Sequence, residues 1–127
     1  METNIFYVQG SIDPSGDFAA CSYFYDKAAT QPYPSATFRI PTNSGVCLLT
    51  QADGSELVLV GAVYKTLGLP PALNNNNYCT SNDEGTVSVP MPLTEVVTKG
   101  VVLLFADPGK VQALYPSSDP QIINEYP

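Results

Sequence analysis

Length, composition and charge exclude several kinds of protein at once. The 127 residues suffice for one domain with its own core, and 5 basic against 12 acidic residues give a net charge of −7 at pH 7. The chain has no histidine, which excludes Ser-His-Asp and Cys-His catalysis and histidine-ligated metals. Its dispersed cations exclude a nucleic-acid or anionic-lipid surface.

The first half of the chain reads as short strands joined by turns. Residues 36–40 alternate apolar and polar, as in a half-buried strand. Asp53-Gly54 lies between two apolar runs, which predicts a hairpin. Gly61 interrupts the second arm of that hairpin, which predicts a bulge or a close backbone approach. Strands are predicted at residues 5–9, 19–26, 36–40, 46–51 and 57–65.

The second half holds a polar loop followed by further short strands. Residues 86–89 predict a strand, and residues 94–99 a short strand or a single helical turn. The continuous apolar run 101–106 is typical of a strand covered on both faces. A turn then leads to a partner strand at 111–115.

The C-terminal segment is predicted to be extended. Pro116, Pro120 and Pro127 are incompatible with a helix and with a central strand. Ile122 and Ile123 are nevertheless apolar and need burial. We therefore expect this segment to dock on another surface.

The strand signals together define the fold class. About eight short strands, no long helical pattern and no repeat period predict an all-β protein. The expected architecture is a compact antiparallel β-sandwich or small barrel. We predict one β domain over residues 1–116 and an extended, proline-containing arm over residues 117–127.

Cysteine usage and hydropathy say little about location. Cys21, Cys47 and Cys79 form no C-x-x-C pair and leave at least one thiol unpaired, so a disulfide between two of them is left open. No apolar run approaches the ~20 residues of a membrane span, and the N-terminus lacks a secretory pattern. We expect synthesis in the cytoplasm without membrane insertion, and leave incorporation into a particle open.

One turn has the spacing of a calcium loop. Asp13, Ser15 and Asp17 place oxygens at i, i+2 and i+4. The glycine and the terminal acidic residue of an EF-hand loop are missing, which favours a simple turn between strands. No cofactor is predicted.

The loop over residues 74–85 carries groups that bind sugars. Amides both donate and accept hydrogen bonds, and an aromatic face packs on a pyranose. A solvated loop rich in asparagine for its turn geometry is the simpler interpretation. The candidate ligand-binding residues are Asn74, Asn77, Tyr78, Asn82 and Asp83.

Carboxylates are the groups best able to support catalysis without histidine. Asp83 with Glu84, and Asp53 with Glu56, are the candidate pairs. A glycosidase sets two carboxyls across a cleft, whereas these are neighbours in turns. No catalytic residue is assigned, and we expect no enzyme.

Tyrosines and the C-terminal segment supply candidate interface residues. Tyr gives large contact area at low entropy cost and is enriched at interfaces, although it also simply fills strands. The candidates are Tyr23, Tyr25, Tyr115, Ile122, Ile123 and Tyr126.

The scarcity of charge suggests a surface that becomes covered, since only 13% of residues are charged. The sequence therefore predicts a non-enzymatic structural protein that self-associates or joins other assembly proteins, as in a virion, appendage or surface lattice. The alternative is a lectin-like module that binds a glycan through residues 74–85. A carboxylate-dependent hydrolase is the second alternative.

Overall fold

The structure, a computed structural model, describes residues 3–67, 77–109, 114–117 and 120–125. These residues form ten strands and one 3-10 turn, Thr42–Ser44. The strands are β1 (Ile5–Ile12), β2 (Ala19–Phe24), β3 (Thr37–Pro41), β4 (Val46–Gln51), β5 (Val58–Thr66), β6 (Tyr78–Thr80), β7 (Thr86–Pro90), β8 (Thr98–Ala106), β9 (Leu114–Pro116) and β10 (Gln121–Glu125).

The strands form two sheets that pack face to face. Sheet A has the order β2-β1-β4-β7, and sheet B has the order β3-β10-β8-β5-β6, with β9 paired to β8. The predicted all-β sandwich is confirmed. The sheets are mixed rather than antiparallel throughout, because β1 pairs β4 and β10 pairs β3 in parallel.

The core lies between the two sheets and follows from the period-two alternation of the strands. In β1 the buried positions are Phe6, Val8 and Gly10, and in β8 they include Leu103 and Phe105. A Cβ on Gly10 would lie 2.7 Å from the Phe105 ring, so this glycine lets the ring approach the opposite sheet. The largest fully buried side chains come from both sheets: Phe6, Phe38, Phe105, Ile40, Leu49, Leu57, Leu59, Leu103, Ile122, Val8, Val87 and Val89.

The predicted hairpin at Asp53-Gly54 is wrong, because β4 and β5 belong to different sheets. The chain after β4 runs beside β1, where the Ala52 N–H donates to the Val8 carbonyl at 2.8 Å, and then crosses to sheet B. Gly54 takes a positive φ of 79° in this crossover. The Asp-Gly pair alone cannot distinguish a hairpin from a crossover, since both connections can need a glycine with a positive φ.

Both predictions for Gly61, a bulge and a close backbone approach, are confirmed. The register between β5 and β8 shifts between Leu59 and Gly61, which is a bulge. A Cβ on Gly61 would lie 2.8 Å from the carbonyl oxygen of Cys79, so the backbone of β6 approaches closely there.

The C-terminal segment departs from the sequence prediction. Residues Gln121–Glu125 form β10, which lies inside sheet B between β3 and β8. The prolines do not prevent this, because Pro116 and Pro120 precede the strand and none lies within it. Ile122 has 0% exposure in the core. The expectation that prolines exclude a central strand here is therefore wrong, and a docking arm is not seen over residues 120–125.

Candidate functional site

Sheet B presents an apolar surface on the side away from the core. The register sets Val63 beside Val102 on neighbouring strands, and Val102 is 38% exposed. Tyr78 and Leu114 flank them at 51% and 60% exposure. We call this surface the apolar face; its members are Val58, Val60, Val63, Tyr78, Val102, Leu104, Ala106, Leu114, Pro116 and Ile123.

The apolar face follows from the sequence of β8. Residues 101–106 are apolar at every position, so the strand is apolar on both sides. Val101, Leu103 and Phe105 are buried against sheet A, whereas Val102 points outward. The prediction that this strand is covered on both faces is wrong for the single chain, since no described residue buries Val102.

The few charged groups on this side of sheet B lie near its margins. Arg39 on β3 forms an ion pair with Glu125 on the neighbouring β10. Both side chains are about half exposed, so the pair adds little to stability. Lys65 lies near the end of β5. The described strand residues on this side therefore carry two cations and one carboxylate, in a chain of net charge −7.

The outer edge of β3 is closed by a tyrosine. The Tyr33 hydroxyl donates to the Thr37 carbonyl at 2.9 Å and accepts from the Arg39 backbone N–H. Burial raises the pKa of this hydroxyl, and the Arg39 bond partly offsets that rise. Pro41 then ends the strand without an N–H. Such features prevent another strand from pairing with an edge.

The outer edge of β7 is closed in a similar way. The Asn82 N–H donates to the Thr86 carbonyl at 3.0 Å, and the Thr86 N–H donates to Asn82 Oδ1 at 3.1 Å. Burial raises the pKa of the Cys79 thiol, which also bonds to the Ser88 backbone. Pro90 lacks an N–H, and its carbonyl accepts from the Lys99 ammonium.

The two remaining sheet edges offer little room for strand addition. At one end of β2, the Tyr25 N–H donates to Gln31 at 2.9 Å and the Tyr33 N–H to Tyr23 at 2.8 Å. At the other end, Ala19 bridges to Ser117. β6 is only three residues long. Faces rather than edges are thus the open surfaces of this sandwich.

The structure divides the predicted interface residues into three groups. Tyr23, Tyr115 and Ile122 are buried and form part of the core. Tyr25 is exposed, and Ile123 is half-buried on the apolar face. Tyr126 lies outside the described residues.

Tyr23 and Tyr25 belong to an aromatic cluster that explains their positions. The Tyr23 ring meets Phe38 edge-on at 4.8 Å, and the Tyr25 ring meets Tyr33 edge-on at 5.1 Å. Phe6 lies 4.5 Å from Phe38 at the centre. Edge-to-face pairs of this kind stabilise packing beyond area burial, so this tyrosine set has a structural role within one chain.

The predicted sugar-binding residues separate in space. Asn82 and Asp83 line a polar cleft of about 470 Å³. Tyr78 instead lies on the apolar face. The Asn77 amide donates to the Tyr64 carbonyl at 3.0 Å and so holds the start of β6. Asn74 lies outside the described residues.

Several polar side chains of the cleft hold the local backbone in place. Asn82 Oδ1 accepts the backbone N–H of Glu84 at 2.9 Å and that of Thr86, which is the geometry of an asparagine turn. Gln51 Oε1 accepts the Leu59 N–H at 2.9 Å. The carboxylates of Asp53, Asp83 and Glu84 and the ammonium of Lys27 complete the lining.

The candidate carboxylate pairs are only partly brought together. Asp53, Asp83 and Glu84 are exposed along the same cleft. Glu56 lies elsewhere and accepts the Ile12 N–H at 3.3 Å.

In the calcium-like turn, the side-chain oxygens of Asp13 and Ser15 accept hydrogen bonds from the turn itself. Asp13 Oδ1 accepts the Ser15 hydroxyl at 2.6 Å and the backbone N–H groups of Gly16 and Phe18. These bonds, that of Ser15 first, lower the pKa of Asp13. The Asp17 N–H in turn donates to the Ser15 hydroxyl at 3.2 Å. Among the described residues, no group of three or more His, Cys, Asp or Glu is placed to hold a metal.

The cysteines are thiols in this structure, with no disulfide among Cys21, Cys47 and Cys79. Burial raises the pKa of Cys47 to about 12. A thiol of this kind is unreactive at neutral pH. Cys47 is a core residue between the sheets.

The geometry thus defines a two-layer, all-β sandwich with an uncovered apolar face. No protein-family model matches the chain, and no curated protein matches it. In the described part of the chain, no helix has the length and apolarity needed to span a membrane.

Proposed function

We propose that this protein is a non-enzymatic structural component that assembles by self-association or with other assembly proteins. The observation that carries the proposal is the apolar face, in which Val58, Val102, Tyr78 and Leu114 are exposed together on one side of sheet B. A contiguous exposed apolar surface on a soluble protein marks an interaction site.

Electrostatics permits close approach of two copies at this surface. A net charge of −7 makes two copies repel each other at most relative orientations. Among the described strand residues, the side of sheet B that holds the apolar face carries two cations and one carboxylate, so close approach there adds little repulsion. We therefore expect added salt to strengthen association, because it screens the repulsion and leaves apolar contact intact.

Sedimentation velocity on the full chain over a wide concentration range tests the proposal. The expected result is a weight-average mass that rises with concentration, and rises at lower concentration when salt is added. A mass that stays at 13.6 kDa throughout contradicts self-association. If the protein instead assembles with a different protein through this face, Val102→Glu should weaken that association. A partner that binds Val102→Glu as tightly as the wild type contradicts the use of this face.

The polar cleft supports a second candidate function, the binding of a glycan or another polar ligand. Its volume of about 470 Å³ and its lining of Ser55, Asn82 and Asp83 suit a hydroxyl-rich molecule. Titration with mono- and oligosaccharides, followed by amide NMR, tests this function. Shifts confined to Ser55 and residues 81–85 support it, and an unchanged spectrum contradicts it.

A further inference from the structure

We infer that the partner of the apolar face is the same face of a second copy, joined by a two-fold axis that passes near Val102. The inference rests on the proposed function, self-association, and names its partner and geometry. Three observations support it: the area of the face, its balance of charge and the central position of Val102.

The area of the face suits a stable dimer. The strands of sheet B hold 34 residues, which at about 3.3 Å along each strand and about 4.8 Å between strands cover roughly 540 Å². A standard protein interface buries about 800 Å² on each partner. One copy of sheet B supplies about two thirds of this area, and two copies together supply about 1,100 Å², which clears the ~1,000 Å² expected of a biological interface.

The balance of charge suits a partner with the same surface. A strongly basic partner would complement the acidic remainder of the chain, but on this side of sheet B the described strands offer only Arg39, Lys65 and Glu125. The ion pair of Arg39 with Glu125 is internally neutral. When two such faces meet, few like charges lie opposite each other.

Val102 lies near the centre of the face, one outward-facing position along β8 from Leu104. β8 is the middle strand of sheet B in the order β3-β10-β8-β5-β6, and Val102 is the middle residue of Thr98–Ala106. A two-fold axis through the centre of a self-complementary patch places the same residue of each copy at the axis. Val102 of one copy then lies against Val102 of the other, with Val63 beside it on β5.

Closed edges favour stacking of faces over continuation of a sheet. Tyr33 and Pro41 close the edge of β3, and Pro90 helps to close that of β7. Sheets stacked face to face lie about 10 Å apart, with interdigitating side chains. The inferred dimer is thus a stack of four sheets with the two copies of sheet B at its centre.

Charge-swap variants at Val102 test this geometry. In Val102→Glu and in Val102→Lys, two like charges meet at the axis, so each variant alone should dimerise at least tenfold more weakly than the wild type. An equimolar mixture brings Glu against Lys and should form a heterodimer at concentrations where each variant alone is monomeric. Sedimentation velocity reads both results.

Matched controls separate folding from association. Ile5→Glu places the same charge on sheet A at a strand position of equal exposure, 39% against 38%, and should leave dimerisation unchanged. Val102→Thr keeps the β-branched shape and replaces one methyl by a hydroxyl, so it should fold normally and weaken dimerisation less than Glu. Near-ultraviolet circular dichroism verifies the fold of each variant.

The outcomes distinguish the inference from the proposed function. A wild type that stays monomeric contradicts self-association itself. A wild type that associates while Val102→Glu associates equally well overturns the role of this face. Loss of association in both single variants without recovery in the mixture overturns the two-fold axis at Val102.

Discussion

Replacement of Asn124 by alanine should destabilise the protein by about 3 kcal/mol. The side chain is fully buried on β10 and makes three hydrogen bonds to the loop before β8. Its amide donates to the carbonyls of Pro92 at 2.9 Å and Glu95 at 2.8 Å, and its Oδ1 accepts the Val97 N–H at 2.7 Å. At about 1 kcal/mol net for each bond, the loss sums to about 3 kcal/mol. For a chain of this length, that lowers Tm by about 10 °C.

Urea unfolding followed by fluorescence measures the free energy of unfolding of this variant. Asn82→Ala is the matched control, since Asn82 also accepts two backbone N–H groups but is exposed, so that water replaces the lost bonds. We expect a loss of about 1 kcal/mol or less for the control. If Asn124→Ala is no less stable than Asn82→Ala, the loop is not anchored by β10 and the reasoning is wrong.

Three further predictions concern stability and reactivity. Gly61→Ala should lower the free energy of unfolding, measured in urea, by about 2 kcal/mol, because its Cβ would lie 2.8 Å from the backbone of β6. Gly100→Ala is the control and should lower it less, because a Cβ there would lie 3.2 Å from a Leu67 methyl. Cys47 should react with iodoacetamide at neutral pH only after unfolding. Labelling of Cys47 itself in the native state, detected by mass spectrometry of peptides, contradicts its burial. Tyr33→Phe should lower stability by about 1 kcal/mol at neutral pH. Burial raises the pKa of Tyr33 in the folded state, so its protonated form is stabilising below pH about 10 and this contribution is lost at higher pH. Above pH about 10 the stability of Tyr33→Phe should therefore fall less steeply than that of the wild type. An equally steep fall for both proteins contradicts the assignment.

The local patterns of the sequence predicted most of the strands. Residues 46–51 alternate in side-chain burial and match β4 at both ends. The interruption at Gly61 predicted its bulge, because only a glycine tolerates such close backbone approach. These features depend on neighbours in the sequence, which a single sequence contains.

The pairing of strands depends on distant residues and was harder to predict. Asp53-Gly54 has the residues of a hairpin turn, but β4 finds its partners in β1 and β7. β10 was predicted as a free arm because its flanking prolines disfavour a strand. Its pairing with β3 and β8, remote in sequence, outweighs that local preference.

Of the residues predicted for an interface, Ile123 lies on the apolar face and Tyr25 is exposed. Low charge and abundant tyrosine indicated a surface to be covered. Tyr23 and Tyr115 nevertheless fill the core. The available signal was the apolar run of β8 beside that of β5, since two adjacent strands that are apolar on both sides need cover on both faces of a sheet.

The most direct test of the central claim is the solvent exposure of valine methyl groups as a function of protein concentration. A soluble paramagnetic probe broadens the NMR signals of exposed methyls, and Val58, Val63 and Val102 report on the apolar face, with Ile5 on sheet A as the reference. We predict that the three valines become protected as concentration rises while Ile5 stays accessible. Equal broadening of all four at every concentration would contradict the claim that this face is covered by a second copy.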